Sequence, residues 1–309
     1  MSIQPKLYFM YTRRTFVKNS ALAFAGASLF SRSIFPIWDS KTILGVQLYS
    51  VRDDMKTDPK GSLKKLADMG YKVVEHAGYN KGKFYGFSPT EFKQILDDLG
   101  LKMYSGHVNF GMMSWDNSKN GWTDEWRQTV EDAATVGQQF VITPELADDA
   151  QKDYDKLMKV IELWNKCGEL CQQHGMKFGY HDDFNQDNTL HGMSLYDIVM
   201  KNCDPKLTIQ QFDIANLYNA AGTDPLDILN KYPGRFTSLH VKDVLKDKNA
   251  QNSHDSTILG EGVLNVKKVL EVARQKGAWL MIIEQESYQG KAPLDCVKED
   301  LQITKKWGY

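Results

Sequence analysis

Short apolar runs alternate with amphipathic stretches from about residue 42 to the end of the chain. The apolar runs are rich in Val, Ile, Phe and Tyr, which is typical of buried parallel strands. They predict eight strands, namely Ile43–Tyr49, Lys72–His76, Lys102–His107, Gln139–Thr143, Lys177–His181, Leu207–Asp213, Phe236–Val241 and Leu280–Glu284. The stretches between them predict eight helices, namely Pro59–Met69, Pro89–Leu99, Thr123–Val136, Tyr154–His174, Ser194–Lys201, Pro225–Lys231, Val266–Lys276 and Pro293–Lys306. Strict alternation of strand and helix requires parallel crossovers.

Helix boundary signals support this alternation. A capping side chain precedes a proline at the start of three helices, at Asp58-Pro59, Ser88-Pro89 and Asp224-Pro225. Four helices are followed by a glycine suited to a left-handed cap: Gly70, Gly100, Gly175 and Gly277. A doubly wound open sheet is the alternative, but its usual glycine-rich phosphate loop is absent from the sequence. The pattern therefore predicts one (β/α)₈ barrel over residues 41–309, since such barrels take about 250 residues.

Residues 1–40 have a different character. Arg13-Arg14 is followed by Phe16-Val17-Lys18 and then by the small, apolar run Ala21–Phe30. This order is typical of a twin-arginine export signal, and the run is shorter than the about 20 residues that span a membrane. A disordered basic tail or an amphipathic helix is the alternative. We predict export to the periplasm without stable membrane insertion after the signal is removed.

Composition and charge limit the classes of binding partner that we expect. Apolar residues make up 42% of the 309 residues and charged residues 25%, and the formal net charge is −1. A nucleic-acid partner is disfavoured because binding phosphate backbones requires concentrated Lys and Arg. Cys167 and Cys171 lie one turn apart on a predicted helix. They are interpreted as small apolar packing, with a redox or metal pair as the alternative.

Polar residues cluster where the predicted strands end, which is where barrel active sites are assembled. Asp213, His240 and Glu284 stand on the sixth, seventh and eighth strands. Adjacent strands lie about 4.8 Å apart, so these three side chains can converge on one ion. His181 on the fifth strand would complete four ligands. Mixed imidazole and carboxylate ligands suit a divalent metal ion such as Mn²⁺, Co²⁺, Fe²⁺, Mg²⁺ or Zn²⁺.

Four segments carry a resemblance to a known family: Gly179-Tyr180-His181, Gln211-Phe212-Asp213-Ile214-Ala215-Asn216, Ser238-Leu239-His240-Val241-Lys242-Asp243 and Ile282-Ile283-Glu284-Gln285-Glu286. Together with Gly260-Glu261-Gly262, they resemble the sugar phosphate isomerase/epimerase family, whose fold is the xylose isomerase-like TIM barrel. The resemblance implies a divalent ion held by Asp213, His240, Glu284 and a fifth-strand residue. In the well-understood ketose epimerases that fifth-strand ligand is a glutamate that also moves the proton, whereas this chain has His181.

The chemistry expected of such a site is proton transfer next to a carbonyl. A divalent ion chelated by a keto sugar stabilises an enediolate while a carboxylate removes the proton. Glu284 is the predicted base, Glu145 is its predicted counterpart on the other side, and Lys242 is predicted to neutralise the oxyanion. The residues predicted to bind substrate are Glu75, His76, His107, Gln211, Trp115 and Glu261. Trp115, with Trp122 and Trp126, is either a lid over the sugar or helix packing.

Three functions remain open on these residues. The leading hypothesis is an isomerase or epimerase of a small, non-phosphorylated sugar or keto sugar. A hydratase or lyase would use the same metal and needs only one good base, so the absence of a fifth-strand glutamate favours it. A non-catalytic, metal-dependent carbohydrate-binding protein is the third. The sequence leaves a homodimer open.

Overall fold

The structure is a computed structural model that describes residues 42–183, 188–245 and 255–309. The export signal predicted within residues 1–40 lies outside the described residues and stays a prediction. In the part that is described, we find no helix with both the length and the apolar character needed to cross a membrane.

Eight parallel strands form the centre of the fold. They are β1 Ile43–Gln47, β2 Val74–Glu75, β3 Ser105–His107, β4 Phe140–Glu145, β5 Lys177–Asp183, β6 Thr208–Asp213, β7 Phe236–Val241 and β8 Leu280–Ile283. Their order across the sheet is β2-β1-β8-β7-β6-β5-β4-β3. Two isolated bridges, Val73–Lys102 and His76–Gly106, join β2 to β3 and close the sheet into a barrel. The predicted (β/α)₈ barrel is confirmed.

Eight helices surround the barrel at the predicted places. They are α1 Pro59–Met69, α2 Pro89–Asp98, α3 Asp124–Thr135, α4 Tyr154–Gln173, α5 Leu195–Asn202, α6 Pro225–Lys231, α7 Val266–Gln275 and α8 Pro293–Lys306. The start of α2 is a full capping box, in which Ser88 and Glu91 each satisfy a backbone N–H of the other. Gly70 ends α1 with φ of 108°, a left-handed conformation that glycine adopts without steric cost.

Several short elements at the carboxyl ends of the strands were not predicted. The first strand ends at Gln47 rather than Tyr49, because Leu48–Val51 turns into a 3₁₀ helix that leads into a helix at Arg52–Thr57. A further helix, Ile214–Ala221, follows β6 directly. Four two-stranded ribbons also follow barrel strands, at Tyr79–Asn80 with Lys83–Phe84, Trp115–Asp116 with Gly121–Trp122, Thr189–Leu190 with Met193–Ser194, and Asp243–Val244 with Ser256–Thr257. Elements of two residues are too short to give a periodic signal.

The core between barrel and helices is dense and aromatic. Trp164 on α4 stacks on Tyr180 of β5 with ring centroids 4.8 Å apart. Cys167 and Cys171 are buried in the same layer, and burial raises the pKa of the Cys167 thiol well above its ordinary value. Trp126 donates to the Cys167 sulfur at 3.2 Å. These contacts agree with the packing interpretation of the cysteine pair.

A second, smaller apolar cluster combines residues from several barrel strands. It consists of Val73, Tyr104, Phe140, Ile142, Ile209, Leu280 and Ile282. Successive side chains of a strand point to opposite faces, so Leu280, Ile282 and Glu284 share one face. That face is apolar towards the amino end of β8 and carries Glu284 just past its carboxyl end, where the barrel opens.

Asp300 on α8 is a buried carboxyl that predicts a dependence of stability on pH. One oxygen accepts from the Leu259 backbone at 2.9 Å, and burial raises the pKa of Asp300 from 3.8 to about 7. The folded protein therefore holds a proton that the unfolded chain releases, so the free energy of unfolding should fall as pH rises from about 4 to about 7. Asp300→Asn, which keeps the acceptor, should remove this slope and stabilise the protein at pH 8 by on the order of 2 kcal/mol.

Urea unfolding of both proteins between pH 4 and pH 8 measures the slope. Asp295→Asn on the exposed side of the same helix is the control and should leave the slope in place. A slope that survives in Asp300→Asn would show that Asp300 is not its source.

Candidate metal and active site

Four side chains meet at the carboxyl ends of β5 to β8. His181, Asp213, His240 and Glu284 are all buried, and one ligand atom from each lies within 4.8 Å of the others. The His240 Nδ1 is 2.8 Å from Glu284 Oε2 and 3.2 Å from His181 Nε2. Asp213 Oδ2 is 3.6 Å from His181 Nε2. The structure therefore brings together the four predicted metal ligands.

The backbone around β6 fixes which oxygen of Asp213 faces the other ligands. Asp213 is the N-cap of the helix Ile214–Ala221, and its Oδ1 accepts from the backbone N–H groups of Ala215 and Asn216 at 2.8 and 2.9 Å. Its Oδ2 is left to face His181 and His240. One carboxylate thus ends the strand, starts the helix and presents a single ligand atom.

Glu75 orients His240 by contacting the ring nitrogen that faces away from the other ligands. The His240 Nε2 lies 2.7 Å from Glu75 Oε1, which leaves Nδ1 to face the other ligands. A carboxylate on the far nitrogen is the usual way to fix the tautomer of a metal-binding histidine. Glu75 is fully buried and also accepts from Gln47, Gln211 and Ser105. Burial raises its pKa, but nearby His107 and His240 and these hydrogen bonds outweigh burial and lower the pKa to about 2. Glu75, predicted to bind substrate, lies behind a ligand.

This arrangement predicts an effect of Glu75 on metal affinity. Glu75→Gln keeps the side-chain shape but weakens the acceptor that holds the His240 N–H. The affinity for a divalent ion should fall about 10- to 100-fold, the usual cost of losing such a partner. Metal titration of the apoprotein, with Glu131→Gln on the exposed side of α3 as control, measures this. An affinity equal to wild type would contradict a role for Glu75 in orienting His240.

Lys242 lies among the carboxylates. Its Nζ is 3.0 Å from Asp213 Oδ2, 2.9 Å from Glu284 Oε2 and 2.5 Å from Glu286 Oε1, and its side chain is 4% exposed. Burial lowers the pKa of a lysine, but these carboxylates outweigh burial and raise the pKa of Lys242 well above its ordinary value. Lys242 therefore stays protonated and can stabilise negative charge.

His107 and Gln211, both predicted to bind substrate, lie beside the four ligands. The His107 Nε2 is 2.7 Å from Gln211 Oε1, and its ring stacks on His240 with centroids 5.1 Å apart. Gln211 is fully buried and reaches both His107 and Glu75. His107 keeps a partly exposed ring, so it is the member of this pair that a substrate can reach.

Four predicted site residues lie elsewhere. His76 is fully buried and points to the other face of β2, where its ring packs edge-on against Phe84. Trp115 packs against Trp122 and under the Lys166 ammonium, which is 4.6 Å from its ring. Trp122 and Trp126 are buried against Phe110, so all three tryptophans pack against neighbouring side chains. Glu145 is exposed at the end of β4, and Glu261 is exposed in the loop after β7.

Two residues near the ligands received no role from the sequence. Glu286 holds the Lys242 ammonium while its own side chain stays 45% exposed. Its spacing of two from Glu284 is the signal that could have identified it, because i and i+2 share a face in extended chain. Asp243 accepts from four backbone N–H groups, those of Val244, Gly260, Gly262 and Leu264. A Cβ on Gly262 would lie 2.1 Å from its Oδ1, which explains the glycine.

Fold and site together define a (β/α)₈ barrel with a candidate metal centre at the carboxyl ends of its last four strands. The model of the family described as "Xylose isomerase-like TIM barrel" matches residues 63–307, and the chain belongs to this family.

The proteins that this chain resembles in sequence include inosose dehydratases. The enzyme of Geobacillus kaustophilus is 23% identical over 235 residues, which cover 71% of this chain and 70% of that protein. The enzyme of Lacticaseibacillus casei is 26% identical over 163 residues, which cover 48% of this chain and 51% of that protein.

Solved structures share the fold. A sugar phosphate isomerase/epimerase from Parabacteroides distasonis superposes with a TM-score of 0.71 at 22% identity, covering 88% of this chain and 96% of that one. The IolI protein with a bound zinc atom superposes with a TM-score of 0.66 at 12% identity, covering 86% and 97% of the two chains.

Proposed function

We propose that this protein is a divalent-metal-dependent hydro-lyase that removes water from a non-phosphorylated keto sugar or keto polyol. The observation that carries the proposal is the convergence of His181, Asp213, His240 and Glu284, next to a protonated Lys242. The inosose dehydratases among the relatives support the same reaction class. Glu286 provides the acid–base group that it requires, and Lys242 provides a positive charge beside it.

The donor atoms fit a divalent ion. Two imidazole nitrogens and two carboxylate oxygens match the preferences of Mn²⁺, Co²⁺, Fe²⁺ or Zn²⁺. Asp213 uses its other oxygen as a helix cap and His240 uses its other nitrogen on Glu75, so each points one atom at the same place. The bound zinc of the IolI protein, on the same fold, supports a metal here. When bound, the ion supplies Lewis acidity that makes the hydrogen next to a carbonyl removable.

The proton transfers are assigned to the residues that remain accessible. The Glu286 carboxylate takes the proton from the carbon next to the carbonyl, since its side chain is 45% exposed while Lys242 holds one oxygen in place. The C–O bond of the hydroxyl on the next carbon then breaks as a C=C bond forms between the two carbons, and the protonated Glu286 returns its proton so that the hydroxyl leaves as water. The Lys242 ammonium stabilises the negative charge that develops meanwhile. Elimination by this route therefore needs only one carboxylate, on one face of the substrate.

An isomerase or epimerase is the second candidate, and Glu145 is the observation that favours it. β4 stands opposite β8 in the barrel order, so Glu145 at the end of β4 and Glu286 after β8 belong to opposite sides of the barrel. Two carboxylates on opposite faces of a substrate are what a two-base epimerisation needs. Solved structures with the same fold as this chain include a sugar phosphate isomerase/epimerase.

Mass spectrometry in D₂O separates these reactions. The metal-loaded protein is incubated with inososes and with unphosphorylated keto sugars, and the masses of the products are followed. We expect the loss of one water, which the chelator-treated protein should not catalyse. Deuterium uptake without loss of water would establish the isomerase instead. Saturable binding with no change of mass across the panel would establish a carbohydrate-binding protein.

A further inference from the structure

A cavity of about 490 Å³ adjoins the metal centre on the side of β2 and β3. Its walls are the loops after these two strands, with their two-residue ribbons, and the first turns of α3. His107 lines this cavity and also stacks on His240, so one side chain belongs to both places. The cavity and the candidate metal centre therefore meet at His107.

The lining has the chemistry of a sugar site. Asn80, Asn109 and Glu125 line it, and with the rest of the described chain their side chains form no hydrogen bond or ion pair. The half-buried Phe110 adds aromatic surface, with Trp126 packed against it. Polar groups with free hydrogen-bonding capacity beside aromatic rings suit a polyhydroxylated ring, which has hydroxyl edges and apolar C–H faces.

The cavity is also large for what the metal centre alone requires. Small-molecule sites occupy about 300–1,000 Å³, and this one is additional to the space at His181, Asp213, His240 and Glu284. None of these four ligand side chains lines the cavity, so a ring held at the ligands and a group held in the cavity occupy different places.

From this geometry we infer that the cavity is a second sugar subsite, so the substrate carries a further ring or a comparable polyol substituent beyond His107. The inference rests on the proposed function, because it takes the keto group to be held at the metal centre. If the cavity binds this further ring, the loops after β2 and β3 determine which substituents the substrate can carry.

Gly111 offers a direct test. It lines the cavity, its backbone is extended at φ −136°, and nothing lies within 4 Å of the place of a Cβ. The side chain of Gly111→Trp therefore has room on a cavity wall that includes none of the four metal ligands. The matched control is Gly121→Trp, where the nearest atom to a Cβ is 3.7 Å away and the side chain faces a different depression.

Calorimetric titration of the metal-loaded protein compares keto monosaccharides with keto disaccharides of several linkages that carry the same keto ring. At least one disaccharide should bind about tenfold more tightly than its monosaccharide, a difference of about 1.4 kcal/mol. Gly111→Trp should reduce that affinity to the monosaccharide level and leave the monosaccharide unchanged, while Gly121→Trp should alter neither.

Two results would overturn the subsite: equal affinities for all disaccharides and monosaccharides, or an equal loss for both ligands in Gly111→Trp. The proposed function fails on a different measurement, the absence of any mass change with wild type. The ratio of affinities remains a test of the subsite in that case.

Discussion

Glu284→Gln is expected to abolish metal binding and turnover together. The substitution keeps the volume of the side chain but removes a negative ligand and one of the three carboxylates around Lys242. Metal affinity should fall roughly a hundredfold or more, since losing even an outer partner of a ligand costs about 10–100-fold. Turnover should fall at least about a thousandfold, because the metal contributes several kcal/mol to the transition state. Metal content after dialysis and kcat/KM measure the two effects.

Glu286→Gln separates the metal ligand from the proton-transfer group. It removes a carboxylate that contacts Lys242 but is absent from the group of converging ligand atoms. We expect wild-type metal content with turnover reduced about a hundredfold or more, within the usual contribution of about 10²–10⁴ from acid–base catalysis. Glu284→Gln protein that keeps full metal content would remove Glu284 from the ligand set.

Gly106→Ala is expected to destabilise the protein by roughly 2–3 kcal/mol, the upper part of the usual cost of overpacking. A Cβ on Gly106 would lie 1.9 Å from the His76 ring and 2.7 Å from the Gln138 amide. The His76 ring is fully buried against Phe84 and has no room to withdraw. The bridge between His76 and Gly106 is one of two that join β2 to β3, so the strain falls where the barrel closes.

Urea denaturation with a fixed m-value measures this loss. Gly121→Ala is the control, because the nearest atom to its Cβ is 3.7 Å away, and it should change stability by less than about 0.5 kcal/mol. A Gly106→Ala protein as stable as wild type would mean that β2 and β3 separate easily.

The alternation of strands and helices was predictable because each element is long enough to show its period. The eight barrel helices lie at their predicted places, and capping residues or glycines marked the ends of five of them. The ribbons and the helix Ile214–Ala221 were not predictable, since their formation depends on contacts with the barrel mouth. Asp213 illustrates the limit: its position at a strand end suggested a ligand, but its role as an N-cap depends on backbone geometry.

The sequence predicted the four candidate ligands, but it predicted the positions of the residues around them less well. His181, Asp213, His240 and Glu284 follow from the rule that side chains at strand ends converge. His76 shows why the neighbours do not: one residue after Glu75, it points to the opposite face of the same strand. Glu75 itself lies within reach of the site, yet only the structure shows it behind His240 rather than in front.

The hydrogen bond from His240 to Glu75 spans 165 residues and joins β7 to β2 across the barrel. The ion site is consequently complete only when the chain has been synthesised past Glu284 and both halves of the barrel have met. Acquisition of the proposed metal would therefore be a late maturation step, and the compartment in which the barrel closes would decide which ion is available. If residues 1–40 direct export of the folded protein, that choice is made in the cytoplasm, and the exported protein carries a cytoplasmic metal into another environment.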